Sequence, residues 1–117
     1  MQRGSTEEIK PPSADDPVLG EIVRRLVEIY RPERIYLFGS AARGDAGPES
    51  DFDLMVVVPD ETPREVLETR GIFQALMDID APIDVLVWTR HEFDKRLHLR
   101  VSFPSTIVQE GKLVYAA

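Results

Sequence analysis

Two short apolar runs, Ile35-Tyr36-Leu37-Phe38 and Leu54-Met55-Val56-Val57-Val58, flank a stretch too polar and glycine-rich to continue either of them. That stretch reads GSAARGDAGPESDFD from Gly39 to Asp53. Gly39-Ser40 follows the first run directly, Asp51-Phe52-Asp53 opens the second, and ten residues, Ala41 to Ser50, lie between. The pattern constrains the chain to strand, tight turn, loop, strand. A Gly-Ser that leaves a strand and enters a short helical segment, Ser40 to Arg43, presents free backbone N–H groups, which suit a phosphate. Side chains alternate along a strand, so Asp51 and Asp53 are expected on one face. Two carboxylates side by side repel unless something positive lies between them. A hard divalent cation such as magnesium meets that need, because it takes oxygen ligands and bridges to phosphates.

The rest of the chain alternates helix and strand. Residues 1–14 are polar, with Pro11-Pro12-Ser13 near their end, and read as a mobile tail; one domain is expected over 15–117. Asp15-Asp16-Pro17 is a helix start, and Leu19, Ile22, Val23, Leu26 and Tyr30 recur at helical spacing until Arg31-Pro32. Arg34 to Phe38 has apolar residues on both faces, as a central strand does. In the second strand, Asp51 to Pro59, the row Phe52, Leu54, Val56, Val58 is expected to face the core, and Met55 and Val57 to continue the aspartate face. Thr62-Pro63-Arg64-Glu65 has the form of a capping box, with a helix to about Met77 and a buried stripe of Val66, Phe73, Leu76 and Met77. Gly71 inside that helix costs about 1 kcal/mol against alanine. Ile83 to Trp88 is a third strand, with Asp84, Leu86 and Trp88 on one face. Thr89-Arg90-His91-Glu92 is a second capping box, with a helix to about His98. Phe103-Pro104 is expected to break the chain before a short helix, Ser105 to Glu110, closed by Gly111; Lys112 to Ala116 reads as an edge strand. The alternation argues an α/β sheet in two or three layers.

Composition narrows the function. At 117 residues the chain holds one modest core. It has no cysteine, hence no disulfide and no thiolate metal site, which fits a reducing compartment. No run reaches transmembrane length and Met1 to Lys10 has no apolar centre, so a cytoplasmic protein that avoids membranes is expected. The net charge of −7 disfavours extended nucleic-acid binding and suits a small nucleotide or a partner with a basic face; solubility alone would also account for it.

Asp84 is a further candidate, a charge in the apolar run Ile-Asp-Val-Leu-Val-Trp, costly to bury unpaired. It either joins Asp51 and Asp53, if the third strand lies beside the second, or is a solvated or Arg-paired strand-end residue. Arg43 suits a phosphate or an ion pair with Asp45, Asp51 or Asp53. His91 and His98, seven apart, do not have the spacing of a helical zinc pair and read as surface positions. Trp88, Phe93 and Phe103 read as core, and Tyr115 as packing. Ser40 lacks the Gly-x-Ser-x-Gly elbow of a hydrolase nucleophile.

Gly-Ser, ten residues, then Asp-x-Asp resembles the signature of the DNA polymerase beta-like nucleotidyltransferase superfamily. Arg43-Gly44 after Gly39-Ser40-Ala41-Ala42 is similar to the minimal nucleotidyltransferase (MNT) group, which is often paired with HEPN-domain proteins. The resemblance spans roughly Pro17 to Tyr115. It implies a polymerase-beta-like α/β core: a small mixed sheet, flanked by helices, with the second strand in the middle. It implies Asp51, Asp53 and Asp84 as catalytic ligands of two magnesium ions, and Gly39 and Ser40, with Arg43 as a candidate, as nucleotide-binding residues. The reaction expected is transfer of a nucleoside monophosphate, AMP from ATP, to a hydroxyl. The acceptor implied is a tyrosine of a HEPN-type toxin, the chain acting as antitoxin, alone or as a homo-oligomer. A non-catalytic antitoxin, or a transferase acting on a small molecule or an RNA end, remains open on these residues.

Overall fold

The helical periodicity after Pro17 forms α1 (Pro17–Tyr30), in which Leu19, Ile22, Leu26 and Tyr30 are buried. The structure, a computed structural model, describes residues 17–39, 52–68, 72–99 and 101–117, the side chain of Phe73 excepted. The expected tail, the cap at Asp15-Asp16 and Gly71 therefore lie outside the described residues. Arg31 ends α1 in the left-handed conformation, φ +48°, a region usually left to glycine, and donates its N–H to Val27 O at 2.9 Å. Pro32 follows and cannot extend the helix hydrogen bonding.

Among the described residues four strands follow: β1 (Arg34–Phe38), β2 (Phe52–Val58), β3 (Ile83–Thr89) and β4 (Lys112–Ala116). Their order in the sheet is β3-β2-β1-β4, with β1 antiparallel to β2 and β4, and β2 parallel to β3. The sheet is mixed, β2 lies inside it, and β4 is an edge strand. Between β2 and β3 come α2 (Arg64–Leu67) and α3 (Ile72–Leu76); after β3 come α4 (Arg90–Asp94) and α5 (Phe103–Glu110).

Both faces of the sheet are covered, giving three layers. On one face Ile35, Leu37, Leu54, Val56 and Val58 pack with Leu19, Ile22, Leu26, Tyr30, Ile72 and Leu76. On the other, Tyr36, Met55 and Val57 pack with Phe93 and Ile107, and Phe38, Trp88 and Leu97 border them. Met55 and Val57, expected merely to continue the aspartate face, are fully buried. Each such side chain contributes about 1.5–3 kcal/mol by leaving water. The two-sided burial follows from the apolar run Leu54 to Val58, which has no polar alternation beyond Asp53.

The helices depart from expectation in four places. The box at Thr62 does not form: Pro63 is the N-cap of α2 and no side chain caps it. The single helix to Met77 is two short pieces, α2 ending at Leu67 and α3 starting at Ile72, and Ile72 is buried while Met77 is 74% exposed. α4 stops at Asp94, and turns continue the chain to His98. Phe103-Pro104 does not break a helix but starts one: Ser102 is the N-cap of α5, its hydroxyl accepting from Ser105 N at 3.1 Å, and proline is tolerated in a first turn. The Thr89 box does form, its hydroxyl accepting from Glu92 N at 3.2 Å.

Arg25 ties α1 to the end of α3. Its Nη1 donates to Ala75 O at 2.7 Å and to Asp78 Oδ1 at 2.6 Å, and its Nε donates to Glu21 Oε2 at 2.7 Å. A last-turn carbonyl that α3 cannot satisfy itself is thereby paired.

Candidate active site

Chain direction brings the site together. β1 runs against β2, and β2 runs with β3, so the end of β1 and the starts of β2 and β3 share one end of the sheet. Phe38 pairs with Asp53 across β1 and β2, and Asp53 pairs with Asp84 across β2 and β3. Residues paired across neighbouring strands point to the same face, so Phe38, Asp53 and Asp84 form a row, with strands spaced about 4.8 Å apart.

Gly39 closes the row. Its φ is +79°, a conformation that L side chains rarely adopt. A Cβ at this position would fall on Asp53 Oδ2 and lie 3.3 Å from Asp53 Cγ. The backbone of Gly39 and the carboxylate of Asp53 are therefore in direct apposition, and only glycine permits it. Two of the expected site elements, the Gly-Ser turn and the Asp-x-Asp strand, meet at this point.

Asp53 is half-buried and Asp84 is exposed. The expectation that Asp84 would be costly to bury does not apply: it stands at the start of an edge strand, where solvent reaches it. The expectation that the third strand lies beside the second does hold, and with it the juxtaposition of Asp84 and Asp53. Ser40, Arg43 and Asp51 lie outside the described residues. Among the described residues no three metal-ligating side chains gather. Asp53 and Asp84 alone supply a pair of neighbouring carboxylates, the hard oxygen donors that a magnesium ion takes.

Aromatic packing supports the row from below, on the same face. Tyr36 stacks on Phe93 with ring centroids 5.4 Å apart, and Phe38 meets Phe103 edge-on at 5.5 Å. Trp88 contacts Phe93 at 6.5 Å and Phe103 at 5.9 Å, both edge-on. These contacts hold Phe38, and through it the turn at Gly39. Phe93 is core as expected, whereas Phe103 keeps 39% of its surface exposed. No spacing rule in the sequence announced the Phe38–Phe103 contact. On the other side of β3, an apolar cleft of about 450 Å³ lies between Ile72, Leu76, Met77 and Ile83, with Asp84 at its margin. His91 and His98 are exposed, and Tyr115 packs against the larger core.

Three helix–sheet layers, a glycine turn seated on an aspartate, and a second aspartate in register on the next strand define a nucleotidyl-transfer scaffold. The chain belongs to the nucleotidyltransferase domain family, whose model matches residues 19–114, and it is a nucleotidyltransferase. A "putative protein adenylyltransferase" of Methanocaldococcus jannaschii is 30% identical over 103 residues, covering 86% of this chain and 98% of that relative. The fold is shared with a crystal structure of a "putative nucleotidyltransferase" from Sulfolobus solfataricus, at TM-score 0.55 and 21% identity, over 99% of this chain and 90% of that one. It is shared as well with a chain from a toxin-antitoxin crystal structure with AMP-PNP, at TM-score 0.50 and 23% identity, over 84% of this chain and 73% of that one. Among the described residues no helix is long and apolar enough to cross a membrane.

Proposed function

We propose that the chain transfers AMP from ATP to a hydroxyl of a partner protein, with Asp51, Asp53 and Asp84 as magnesium ligands and Gly39, Ser40 and Arg43 on the nucleotide phosphates. The observation that carries the reading is the seat of Gly39 on the Asp53 carboxylate with Asp84 in register beside it. A turn that presents N–H groups to phosphate then adjoins carboxylates suited to a metal, as attack at a phosphorus requires. The relative named as an adenylyltransferase of protein supports AMP and a protein acceptor. The toxin-antitoxin structure with AMP-PNP supports an adenine nucleotide and a toxin partner; a HEPN-type toxin with a tyrosine acceptor fits the MNT resemblance.

The acceptor oxygen attacks the α-phosphorus, a phosphodiester bond forms, and the bond to pyrophosphate breaks. Bound magnesium supplies charge neutralisation at the attacking and leaving oxygens. Gly39 holds the turn open for the triphosphate. Asp53, partly buried, fixes one carboxylate. Asp84, exposed at the end of the row, would take the acceptor proton.

Asp84→Asn tests this. Asp84 is exposed, so its urea midpoint is expected to match wild type, while labelled AMP reaching a HEPN-type partner falls by orders of magnitude. Magnesium and ATP together should raise the wild-type melting temperature by ligand linkage, and Asp51→Asn with Asp53→Asn should abolish the rise. Equal transfer by Asp84→Asn, or an equal rise in the double variant, refutes the assignment.

A further inference from the structure

The two edges of the sheet differ. β4 is five residues long, opens on Lys112, and its register with β1 shifts between Ile35 and Tyr36, features that blunt a strand against further pairing. β3 has none of them. It runs seven residues in unbroken register with β2, contains no lysine and no proline, and among the described residues has no strand on its other side. Pro82 O accepts from Phe52 N at 2.9 Å. Alternate residues of a parallel strand bond to its neighbour. From Pro82 onward the even-numbered residues therefore turn their backbone groups to β2, and Ile83, Val85 and Val87 turn theirs outward. An edge of this kind is completed by an extended segment that bonds to it through its main chain.

The two faces of the edge say what that segment carries. On one face Ile83 and Val85 line the apolar cleft of about 450 Å³, with Ile72, Leu76 and the exposed Met77 opposite them. On the other face stand Asp84 and Leu86, both exposed. Side chains alternate along a strand, so an added strand would send every second side chain towards the cleft and the others to the face of the aspartates. The residue opposite Asp84 takes the next place in the series Phe38, Asp53, Asp84, one strand spacing, about 4.8 Å, further on. A hydroxyl borne there is held beside the carboxylate that would take its proton. We infer that the open edge of β3 receives the acceptor as an added strand: an extended segment of the partner protein with its hydroxyl-bearing residue opposite Asp84 and apolar residues on either side of it in the cleft. The main-chain bonds supply the pairing, and the apolar neighbours fix the register, because a slip of one residue would turn the hydroxyl into the cleft. A second copy suits the edge less well, since each copy carries −7 and pairing β3 with β3 brings those charges together. The inference rests on the transferase reading above.

The test uses a fluorescent heptapeptide, Lys-Gln-Ile-Tyr-Ile-Gln-Lys, with the full chain. Two further copies are N-methylated, one at both isoleucines and the other at the tyrosine and both glutamines; strand direction decides which set of N–H groups faces β3. By anisotropy the plain peptide is expected to bind, and at least one methylated copy to bind about tenfold more weakly or worse, since the main-chain bonds to β3 are lost. The amides of Val85 and Val87 should exchange with deuterium more slowly when the plain peptide is present. Met77→Asp sets a charge in the cleft and is expected to weaken binding by about tenfold. Met77 is exposed, so the fold and the melting rise with magnesium and ATP should persist in that variant. No binding of the plain peptide, indifference to both methylated sets or to Met77→Asp, or unchanged exchange at Val85 and Val87 overturns the inference while leaving the transferase reading standing. Absence of the melting rise with magnesium and ATP in wild type would instead refute the transferase reading. Sedimentation tests the other occupant: self-association that Met77→Asp abolishes would put a second copy on the edge and overturn the acceptor assignment.

Discussion

Gly39→Ala probes the site through a single methyl group, and the structure separates its two effects. The first is conformational: φ is +79°, and a non-glycine residue held in the left-handed region costs about 1–2 kcal/mol. The second is steric: the new Cβ would fall on Asp53 Oδ2. That oxygen ends a side chain that can turn aside, so the clash adds only up to about 1 kcal/mol to the stability loss but drives the carboxylate out of the row. Stability should fall by about 1–3 kcal/mol, or roughly 4–8 °C per kcal/mol in a domain of this size. The melting rise with magnesium and ATP should nearly vanish. A double-mutant cycle resolves the two effects. With Asp53→Ala the nearest remaining side-chain atom is Cβ at 3.6 Å, an ordinary contact. The steric part should then disappear and the conformational part persist, so the double variant is less destabilised than the sum of the singles. Urea unfolding of the four proteins measures it. A loss within about 0.5 kcal/mol for Gly39→Ala, with the nucleotide response intact, would refute the apposition of Gly39 and Asp53.

The remaining glycines and the two cores give contrasting outcomes. Gly111→Ala should cost about 1–3 kcal/mol although its φ of −89° is ordinary, because a Cβ would meet Ile107 O at 2.6 Å and Leu37 O at 2.7 Å, backbone atoms that cannot turn away. Gly20→Ala, in α1 with nothing within 4 Å, should stabilise by up to about 1 kcal/mol; equal urea midpoints for the two variants would contradict both readings. Leu54→Ala and Met55→Ala should each lose about 2–5 kcal/mol, since the sheet is covered on both faces, and a loss under about 0.5 kcal/mol for Met55→Ala would remove the second core. Hydrogen bonds from Arg24 and then Arg25 hold Glu21 at about 2, below its ordinary 4.5. A lowered carboxylate stabilises the fold above its unfolded value and loses that contribution as pH falls through the folded one. Glu21→Gln should therefore flatten the acid-side decline in stability between about pH 4.5 and 2; an unchanged decline would show that the pairing does not act in solution.

The strands were legible because each is a short apolar run closed by a turn signal, and the pairing of β2 with β3 could be posed as a condition on Asp84. The Thr89 cap was legible for the same local reason. What escaped depends on distant partners. Met55 and Val57 read as the continuation of a charged face because Asp53 heads their row, and only the placement of Phe93 and Ile107 over them makes that face a core. Thr62 carried a capping pattern without forming the cap, because the turn residue Pro63 takes that position with φ −61° and ψ 148°. Pro104 read as a breaker, yet the Ser102 hydroxyl two residues earlier starts the helix around it. Gly111 does close α5 as expected, but the close approach of the Leu37 carbonyl, far away in the chain, adds a demand for glycine that spacing could not show. Of the candidate site, Gly39, Asp53 and Asp84 were singled out from the sequence; the seat of Gly39 on the Asp53 carboxylate was not, since it depends on how β1 pairs with β2.

The unequal thickness of the two cores sets which part of the molecule can breathe. Among the described residues, eleven buried ones fill the side under α1, and five fill the side under α4 and α5. Opening free energies follow local burial, so the thinner layer should detach from the sheet in sub-global events that leave the thicker one closed. Backbone amides of α4 and α5 should then exchange with deuterium sooner than those of α1 and β2. That layer carries Phe103 and, in the turn between its helices, Leu99 and Val101. Because Phe103 holds Phe38 beside Gly39, such an opening would loosen the support of the aspartate row while the sheet stays formed.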